Sequence, residues 1–349
     1  MATCLSCSKK IDVQSLYCEP LHKVTSDVTE SALKIPDAVP VNFDTREYLI
    51  YDTLVFSFLI HQDHIVSISN ASTGELLGNF CKRGRAWDEP IDVMPLQEIY
   101  VDDGELKADL LSYNDSKLFT WNISKSLKTG RDVYDHIIRL ELGKGKVCSI
   151  PSYRRINKNH VLCFNSKETR GYDKNDVPEF CIYNTDSGQY AKGYELFSVP
   201  DIELNPDQSY RNFYSNRFTV KPDGSKVFVA MCLMPAYSLI NLKQDTTESF
   251  LLTDLKPCRS DVARWYFADI QSDNDLIYAL YSGEPLYNPK GDDIPKTMYV
   301  FDWNGNLRMK LSLPDRFTEI NIDNGTMYLS DYKGLISEFS IQDIKNSIL

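Results

Sequence analysis

The chain has 349 residues, of which 42% are hydrophobic and 25% charged, values that are ordinary for a globular protein. Its net charge of −11 opposes non-specific binding to nucleic acid or to an anionic membrane, because no basic face can dominate the surface. No apolar run reaches the roughly 18 residues of a transmembrane helix. We therefore expect no nucleic-acid partner, and contact with a membrane only through an attached lipid.

The first residues resemble the site of lipid attachment in bacterial lipoproteins. In the run 5–8, Leu-Ser-Cys-Ser, a small residue precedes Cys7, which would be acylated if the start of the chain lies inside a longer signal peptide. Two alternatives stay open: a cytosolic tail with ordinary thiols, or a metal or redox motif of Cys4 and Cys7 that has no second pair. We predict a lipobox-like segment and a tether or outer strap over 1–40, and a single domain over 41–349.

The stretch 298–312 is the clearest example of a unit that the chain repeats. Aromatic residues at every second position from Tyr299 to Trp303 indicate a strand, and the alternation resumes at Leu307. Asn304-Gly305 predicts a type I′ turn, since both residues tolerate positive φ. An isolated hairpin is marginal in water, so we expect similar units to pack against this one.

Six hairpin-like segments of this kind recur at irregular spacing, which is typical of propeller blades with insertions. They span 65–80, 108–123, 180–197, 227–242, 298–312 and 326–341. Further strands are predicted at 54–59, 98–102, 160–165, 217–221 and 276–281, with no amphipathic pattern of helical length between them. The prediction is an all-β, six-bladed β-propeller of four-stranded antiparallel blades, which leaves only short, protected edges.

A set of motifs surrounds the first repeat. A turn glycine at Gly74, the run 78–80 (Gly-Asn-Phe) and the run 82–90 (Lys-Arg-Gly-Arg-Ala-Trp-Asp-Glu-Pro) follow one another, and related pieces occur at 220–226, 280–283 and 299–305. Together these residues resemble the TolB-like six-bladed β-propeller family over about residues 40–345. The resemblance implies a propeller and export to the cell envelope, as for lipoproteins of Gram-negative anaerobes. It implies no reaction, because the family has no agreed activity.

The run 82–87 packs three cations and an indole into six residues. Guanidinium groups pair with carboxylates and an indole offers a stacking face, so an anionic or sugar ligand could bind here. The alternative is a structural link between blades, in which Gly84 supplies a positive φ and the cations pair with Asp88 or Glu89. The candidate binding residues are Lys82, Arg83, Arg85 and Trp87.

A second set of aromatic residues and arginines lies at or just before strand starts, and in the long connection 283–296. Such mixtures are favoured at recognition hot spots, and the alternative is an aromatic core between blades. The residues are Tyr214, Arg217, Trp265, Tyr266 and Tyr287. The two sets predict a monomeric, non-enzymatic binding or scaffold propeller that recognises a protein or glycan partner at one face.

No complete catalytic set is present in the sequence. The alternative function is a metal-dependent hydrolase or lyase of the gluconolactonase type, whose site in the central channel would need oxygen ligands converging from separate blades. The 49 acidic residues make such ligands available without indicating any. His61 and His64 lie three positions apart, so a straight strand would point them to opposite faces. We predict no cofactor and no metal site.

Overall fold

The computed structural model describes residues 10–33, 38–39, 47–59, 62–91, 93–112, 116–141, 150–165, 178–198, 214–259, 262–286, 293–331 and 333–347. Strands dominate this part of the chain, which also contains the short helices α1 (Ile123–Thr129) and α2 (Ile341–Asn346) and a 3₁₀ turn at Val13–Leu16. The strands form six small, mainly antiparallel sheets, the arrangement of a six-bladed β-propeller. The fold predicted from the repeats is thereby confirmed.

The first half of the described chain contains strands β1 to β13. They are β1 (Leu21–Val24), β2 (Glu30–Ala32), β3 (Ala38–Val39), β4 (Tyr48–Tyr51), β5 (Leu54–Phe58), β6 (His64–Asn70), β7 (Leu76–Lys82), β8 (Ile99–Asp102), β9 (Glu105–Ser112), β10 (Lys117–Asn122), β11 (Tyr134–Arg139), β12 (Ser152–Asn157) and β13 (His160–Phe164).

The second half contains strands β14 to β26. They are β14 (Phe180–Asn184), β15 (Tyr190–Tyr194), β16 (Asn216–Val220), β17 (Lys226–Met231), β18 (Ala236–Asn241), β19 (Thr246–Leu252), β20 (Arg264–Ser272), β21 (Leu276–Pro285), β22 (Thr297–Asp302), β23 (Leu307–Ser312), β24 (Phe317–Asp323), β25 (Thr326–Asp331) and β26 (Ile336–Ser340). Each of the six predicted hairpins is present.

The chain divides into two compact units, which we describe separately. The smaller unit takes the described residues within Met1–Leu33, Leu196–Thr219 and Lys226–Arg316, and the larger unit those within Lys34–Glu195, Val220–Ser225 and Phe317–Leu349. Two sheets belong to the smaller unit and four to the larger.

Both sheets of the smaller unit have five strands, one more than the sequence predicted. Their strand orders are β1-β19-β18-β17-β16 and β2-β23-β22-β21-β20. The additional strands β1 and β2 come from the N-terminal segment and run parallel to their neighbours β19 and β23, whereas the strands from β17 to β19 and from β20 to β23 pair antiparallel. This part of the N-terminal segment is therefore built into the sheets as fifth strands.

The four sheets of the larger unit have four strands each. Their orders are β4-β5-β6-β7, β8-β9-β10-β11, β12-β13-β14-β15 and β24-β25-β26-β3. In the last of these, β3 pairs antiparallel with β26, so strands from both ends of the chain complete one blade. All neighbouring strands in these four sheets pair antiparallel, as predicted.

The turn at Asn304-Gly305 is not of type I′. Gly305 has a φ of +82°, but Asn304 does not have the positive φ that a type I′ turn also needs at this position. Instead, the Asp302 carboxylate accepts hydrogen bonds from the backbone N–H groups of Asn304 at 2.8 Å and Asn306 at 3.0 Å. The Asp302 side chain thus stabilises a loop that extends to Asn306, which is longer than a two-residue turn.

A capping side chain of this kind ends the third strand of every sheet. Asn70, Asn184 and Asn241 accept hydrogen bonds from N–H groups two and three residues further on, and Asp302 accepts from those two and four residues further on. Asn122 caps α1 by accepting from Lys125 N at 2.9 Å, and Ser340 caps α2 by accepting from Asp343 N at 3.3 Å. The same capping chemistry thus starts a turn in four sheets and a helix in two.

Each unit has its own aromatic core. In the larger unit, fully buried Trp121 meets Phe56 edge-on at 6.4 Å between ring centroids and lies 5.9 Å from Phe80. In the smaller unit, the buried Tyr237 stacks on Phe228 at 5.1 Å. These large side chains bury the apolar faces that a single sheet would leave in water.

Candidate functional site

The run of cations predicted as a site forms a loop over residues 82–91, which we call the Trp87 loop. It begins where β7 is capped: the backbone N–H groups of Cys81 and Lys82 donate to the two carboxylate oxygens of Asp132 at 2.6 and 2.7 Å. Cys81 has a φ of +60°, so two successive N–H groups converge on one anion. The start of the loop is fixed in this way.

Arg83 holds the loop closed. Its guanidinium donates through Nη1 to the carbonyl of Ile91 at 2.6 Å, through Nε to that of Gln62 at 3.2 Å, and through Nη2 to that of Leu59 at 3.3 Å. One side chain thereby ties the far end of the loop to the segment that precedes β6. These donors are directed at the protein's own backbone, which makes Arg83 a support of the loop.

Glu89 braces the loop from inside. Its carboxylate accepts hydrogen bonds from Ala86 N at 3.2 Å and from the Lys82 ammonium at 3.3 Å. These contacts lower the pKa of Glu89 below its usual range, and the bond from Ala86 has the largest effect. A Cβ added at Gly84 would lie 1.8 Å from a Glu89 carboxylate oxygen. The prediction that Gly84 supplies a positive φ was wrong, since it does not have one; instead, the Glu89 carboxylate occupies the space that a side chain at this position would take.

The loop presents an indole to solvent on this braced frame. Trp87 is 58% exposed and Ile91 is 38% exposed, and the side chains of Arg85 and Asp88 are also exposed. The ammonium of Lys117, at the start of β10, lies 4.6 Å from the centroid of the Trp87 ring. That cation–π contact holds the indole in place and occupies one of its faces. Lys117 was not among the predicted residues, because nothing in the sequence connects positions thirty apart.

The second predicted set lies in the smaller unit, where its tyrosines are structural. Tyr266 is fully buried, and its hydroxyl donates to the Lys256 carbonyl at 2.7 Å. Burial raises its pKa above the usual range. Tyr214 is 9% exposed, stacks on Phe197 at 4.8 Å and donates its hydroxyl to the backbone. These contacts agree with the alternative of an aromatic core.

The remaining described members of this set are less buried. Trp265 is half-buried and donates its indole N–H to the Phe267 carbonyl at 3.2 Å. Arg217 on β16 is exposed and donates through Nε to the Ala268 carbonyl of β20 at 3.1 Å. Tyr287 and Cys7 lie outside the described residues, as does His61. The smaller unit thus offers Arg217 and Trp265, which are partly exposed and engaged with backbone carbonyls.

Two further properties concern the described residues as a whole. Within the described ranges, no group of three or more His, Cys, Asp and Glu residues is placed to hold a metal ion. No helix in the same part of the chain combines the length and apolar character needed to cross a membrane.

Comparisons with known proteins agree on the fold. A crystal structure of a member of the DUF4221 family from Bacteroides vulgatus matches with a TM-score of 0.59 and 11% sequence identity, covering 88% of this chain and 96% of that one. A putative exported protein from Bacteroides fragilis matches with a TM-score of 0.50 and 8% identity, covering 88% of each chain. At these identities the likeness shows the six-bladed β-propeller class alone.

No family model matches the sequence, and no curated protein matches it. The chain is therefore a six-bladed β-propeller by structure, while its narrower resemblance to TolB-like propellers stays a prediction from the motifs.

Proposed function

We propose that this propeller is a non-enzymatic binding protein that recognises a partner protein through the Trp87 loop. The observation that carries the proposal is the 58% exposed indole of Trp87, held by Lys117 on a loop that Arg83 and Glu89 brace. Tryptophan and arginine are enriched among the residues that dominate binding energy at protein interfaces. Trp87 and Arg85 supply both types within three positions.

The bracing matters for affinity. Ordering a mobile side chain or loop on binding costs about 0.5–1.5 kcal/mol for each immobilised side chain, and a frame that is already ordered avoids this cost. The Trp87 indole is oriented by the Lys117 ammonium before any partner arrives. Ile91 enlarges the exposed apolar surface of the loop, and Arg85 and Asp88 provide a charged rim around it.

A protein partner fits these observations better than a glycan. Recognition of a sugar needs several polar groups that converge on its hydroxyls, together with an open aromatic face. The polar groups best placed for this, Arg83 and Glu89, are hydrogen bonded within the loop, and Lys117 occupies one face of the indole. What the loop leaves exposed is the indole and Ile91, surrounded by the charged side chains of Lys82, Arg85 and Asp88, which suits the surface of another protein.

Export as a lipoprotein of the cell envelope is part of the same proposal. The motivating features are the lipobox-like run around Cys7 and the TolB-like motifs, with the propeller as a monomer and the segment 1–40 as a strap on its sheets. A structural neighbour from Bacteroides fragilis is described as a putative exported protein. Growth of cells carrying the full locus with an alkyne-bearing fatty acid should label the wild type and Cys18→Ser but not Cys7→Ser. Equal labelling of the two variants, or none of the wild type, would contradict the lipid anchor.

The binding function is tested by affinity purification from the native cell envelope. Three tagged forms of the chain are compared: the wild type, Trp87→Ala and Val101→Ala. Val101 is a matched control because it lies in the same unit and is 59% exposed. We expect the same partner protein with the wild type and the control, and at least tenfold less with Trp87→Ala. Equal recovery from all three forms, no specific protein at all, or release of the bound material by glycosidases would contradict a protein partner at this loop.

A further inference from the structure

The outer edges of the sheets differ in whether a fifth strand covers them. In the smaller unit, β1 pairs with β19 over four residues and β2 with β23 over three, both in parallel. Both added strands belong to the N-terminal segment and are tied at their ends, for example by the N–H of Thr253 donating to the Val24 carbonyl at 2.9 Å. In the larger unit, the last strands β7, β11 and β15 carry no fifth strand within the described part of the chain.

The backbone of β7 has hydrogen-bonding groups directed at this open edge. The N–H of Leu59 donates to the Ile65 carbonyl at 2.7 Å, so odd-numbered residues of β6 face β5 and even-numbered ones, such as Val66 opposite Phe80 and Ile68 opposite Gly78, face β7. Gly78 and Phe80 therefore face β6, and because the direction of backbone groups alternates along an antiparallel strand, the N–H and C=O groups of Asn79 between them point away from β6. Beyond them, Asp132 closes the edge by accepting from Cys81 and Lys82.

The side chains of this edge are unusual for an exposed strand. Leu76 is 56% exposed and the adjacent Leu77 is 41% exposed, and the register with β6 shifts between Ile68 and Ser69 at this point. Natural edge strands are generally protected by charges, prolines or a covering segment. Here two consecutive leucines flank outward backbone groups, which is the combination that a recruited strand would cover.

We propose that an extended segment of a partner protein adds to β7 as a parallel fifth strand, opposite Leu76 to Phe80. The direction and the length of about four residues follow from β1 and β2, which show how a segment joins the last strand of a blade in this chain. The segment carries apolar side chains at alternate positions to cover Leu76 and Leu77, just as β1 has Leu21 buried and His22 5.3 Å from the Phe250 ring.

A second copy of this chain is not the occupant that this geometry favours. Two identical edges related by a twofold axis pair antiparallel, whereas both edges already covered in this chain are covered in parallel. The inference concerns a surface other than the Trp87 loop and does not depend on it.

The experiment uses a displayed library of linear ten-residue peptides, selected on the folded wild-type chain. We expect enriched peptides with apolar residues at alternate positions, whose affinity falls at least tenfold for Leu76→Lys/Leu77→Lys and is unchanged for Val101→Lys and Trp87→Ala. N-methylation of the peptide amides should abolish binding at every second position only, because alternate N–H groups face the edge. A photoreactive group at the peptide N-terminus should label near Leu76, as a parallel strand requires.

Several results would overturn the inference. They are a selection without enriched peptides, equal binding to the double-lysine variant, N-methylation tolerated at every position, or labelling near Lys82 by the N-terminal probe. A dimer of the free chain that Leu76→Lys/Leu77→Lys dissociates would replace the partner strand by a second copy. Peptides lost with Trp87→Ala would move the binding to the loop, so failure here is distinguishable from failure of the proposed function.

Discussion

Two regions of the molecule combine arginine with aromatic residues, and they use them in opposite ways. In the smaller unit, Tyr266 is fully buried and Tyr214 is 9% exposed, and both hydroxyls donate to backbone carbonyls. In the larger unit, the arginine Arg83 is turned into the protein and the aromatic Trp87 is 58% exposed. Residue type alone therefore does not mark a binding site, because the partners that each side chain already has decide its role.

The first prediction tests whether the buried tyrosines of the smaller unit stabilise the fold. Replacing Tyr266 by Ala deletes a fully buried ring, so we expect a loss of about 3–5 kcal/mol in the free energy of unfolding, measured by urea denaturation. Tyr266→Phe removes only the hydrogen bond to Lys256 and should cost about 1 kcal/mol. A loss below about 1 kcal/mol for Tyr266→Ala would mean that the ring is not part of the core.

The second prediction concerns the contact between Gly84 and Glu89 within the Trp87 loop. The Cβ of Gly84→Ala would collide with the Glu89 carboxylate and displace it from its bonds to Ala86 and Lys82, so we expect a loss of about 0.5–1.5 kcal/mol. The double variant Gly84→Ala/Glu89→Ala should lose less than the two single losses combined, since the collision is gone. Strictly additive losses in urea denaturation would show that Glu89 does not lie against Gly84.

The third prediction concerns pH. Because the pKa of Glu89 is lowered in the folded protein, its contribution to the loop is present above its unfolded pKa of about 4.3 and is lost as the pH falls through the folded value. We expect the fluorescence of Trp87, taken as the difference between the wild type and Trp87→Phe, to change below about pH 4. The Glu89→Gln variant should lack this transition, and an identical transition in that variant would assign it to another group.

The smallest effect on stability is expected at the exposed indole itself. Trp87→Ala should change the free energy of unfolding by no more than about 0.5 kcal/mol, as is usual for surface substitutions. Measuring Tyr266→Ala in the same urea series compares the loss of free energy of unfolding at a buried ring with that at an exposed one. A loss of more than about 1.5 kcal/mol would mean that Trp87 serves the fold and would remove the main support for a recognition loop.

The fold could be predicted from the sequence because each hairpin repeats the period of a strand and a turn motif. The fifth strands β1 and β2 could not, since their pairing with β19 and β23 joins segments more than 200 residues apart in sequence. The capping residue at the end of each third strand is an Asn, Asp or Ser, residue types that are common in many kinds of turn, so their identity alone does not distinguish a cap from an ordinary loop residue.

The candidate site was predictable only in its location. The composition of the run 82–87 indicates an unusual loop. The hydrogen bonds of Arg83 to three carbonyl groups, however, depend on the folded positions of Leu59, Gln62 and Ile91. The contact of Lys117 with the Trp87 ring likewise exists only once two strands are in place.

Site-specific photocrosslinking in living cells can show whether a partner protein lies against the Trp87 loop. A benzophenone amino acid replaces Trp87, the equally exposed Val101 on β8, or the half-buried Trp265 of the smaller unit, and each chain is irradiated in the envelope of its own cells. We predict one discrete protein adduct from position 87, with none from positions 101 and 265. The absence of an adduct at position 87, or the same adduct from all three positions, would contradict recognition through the Trp87 loop.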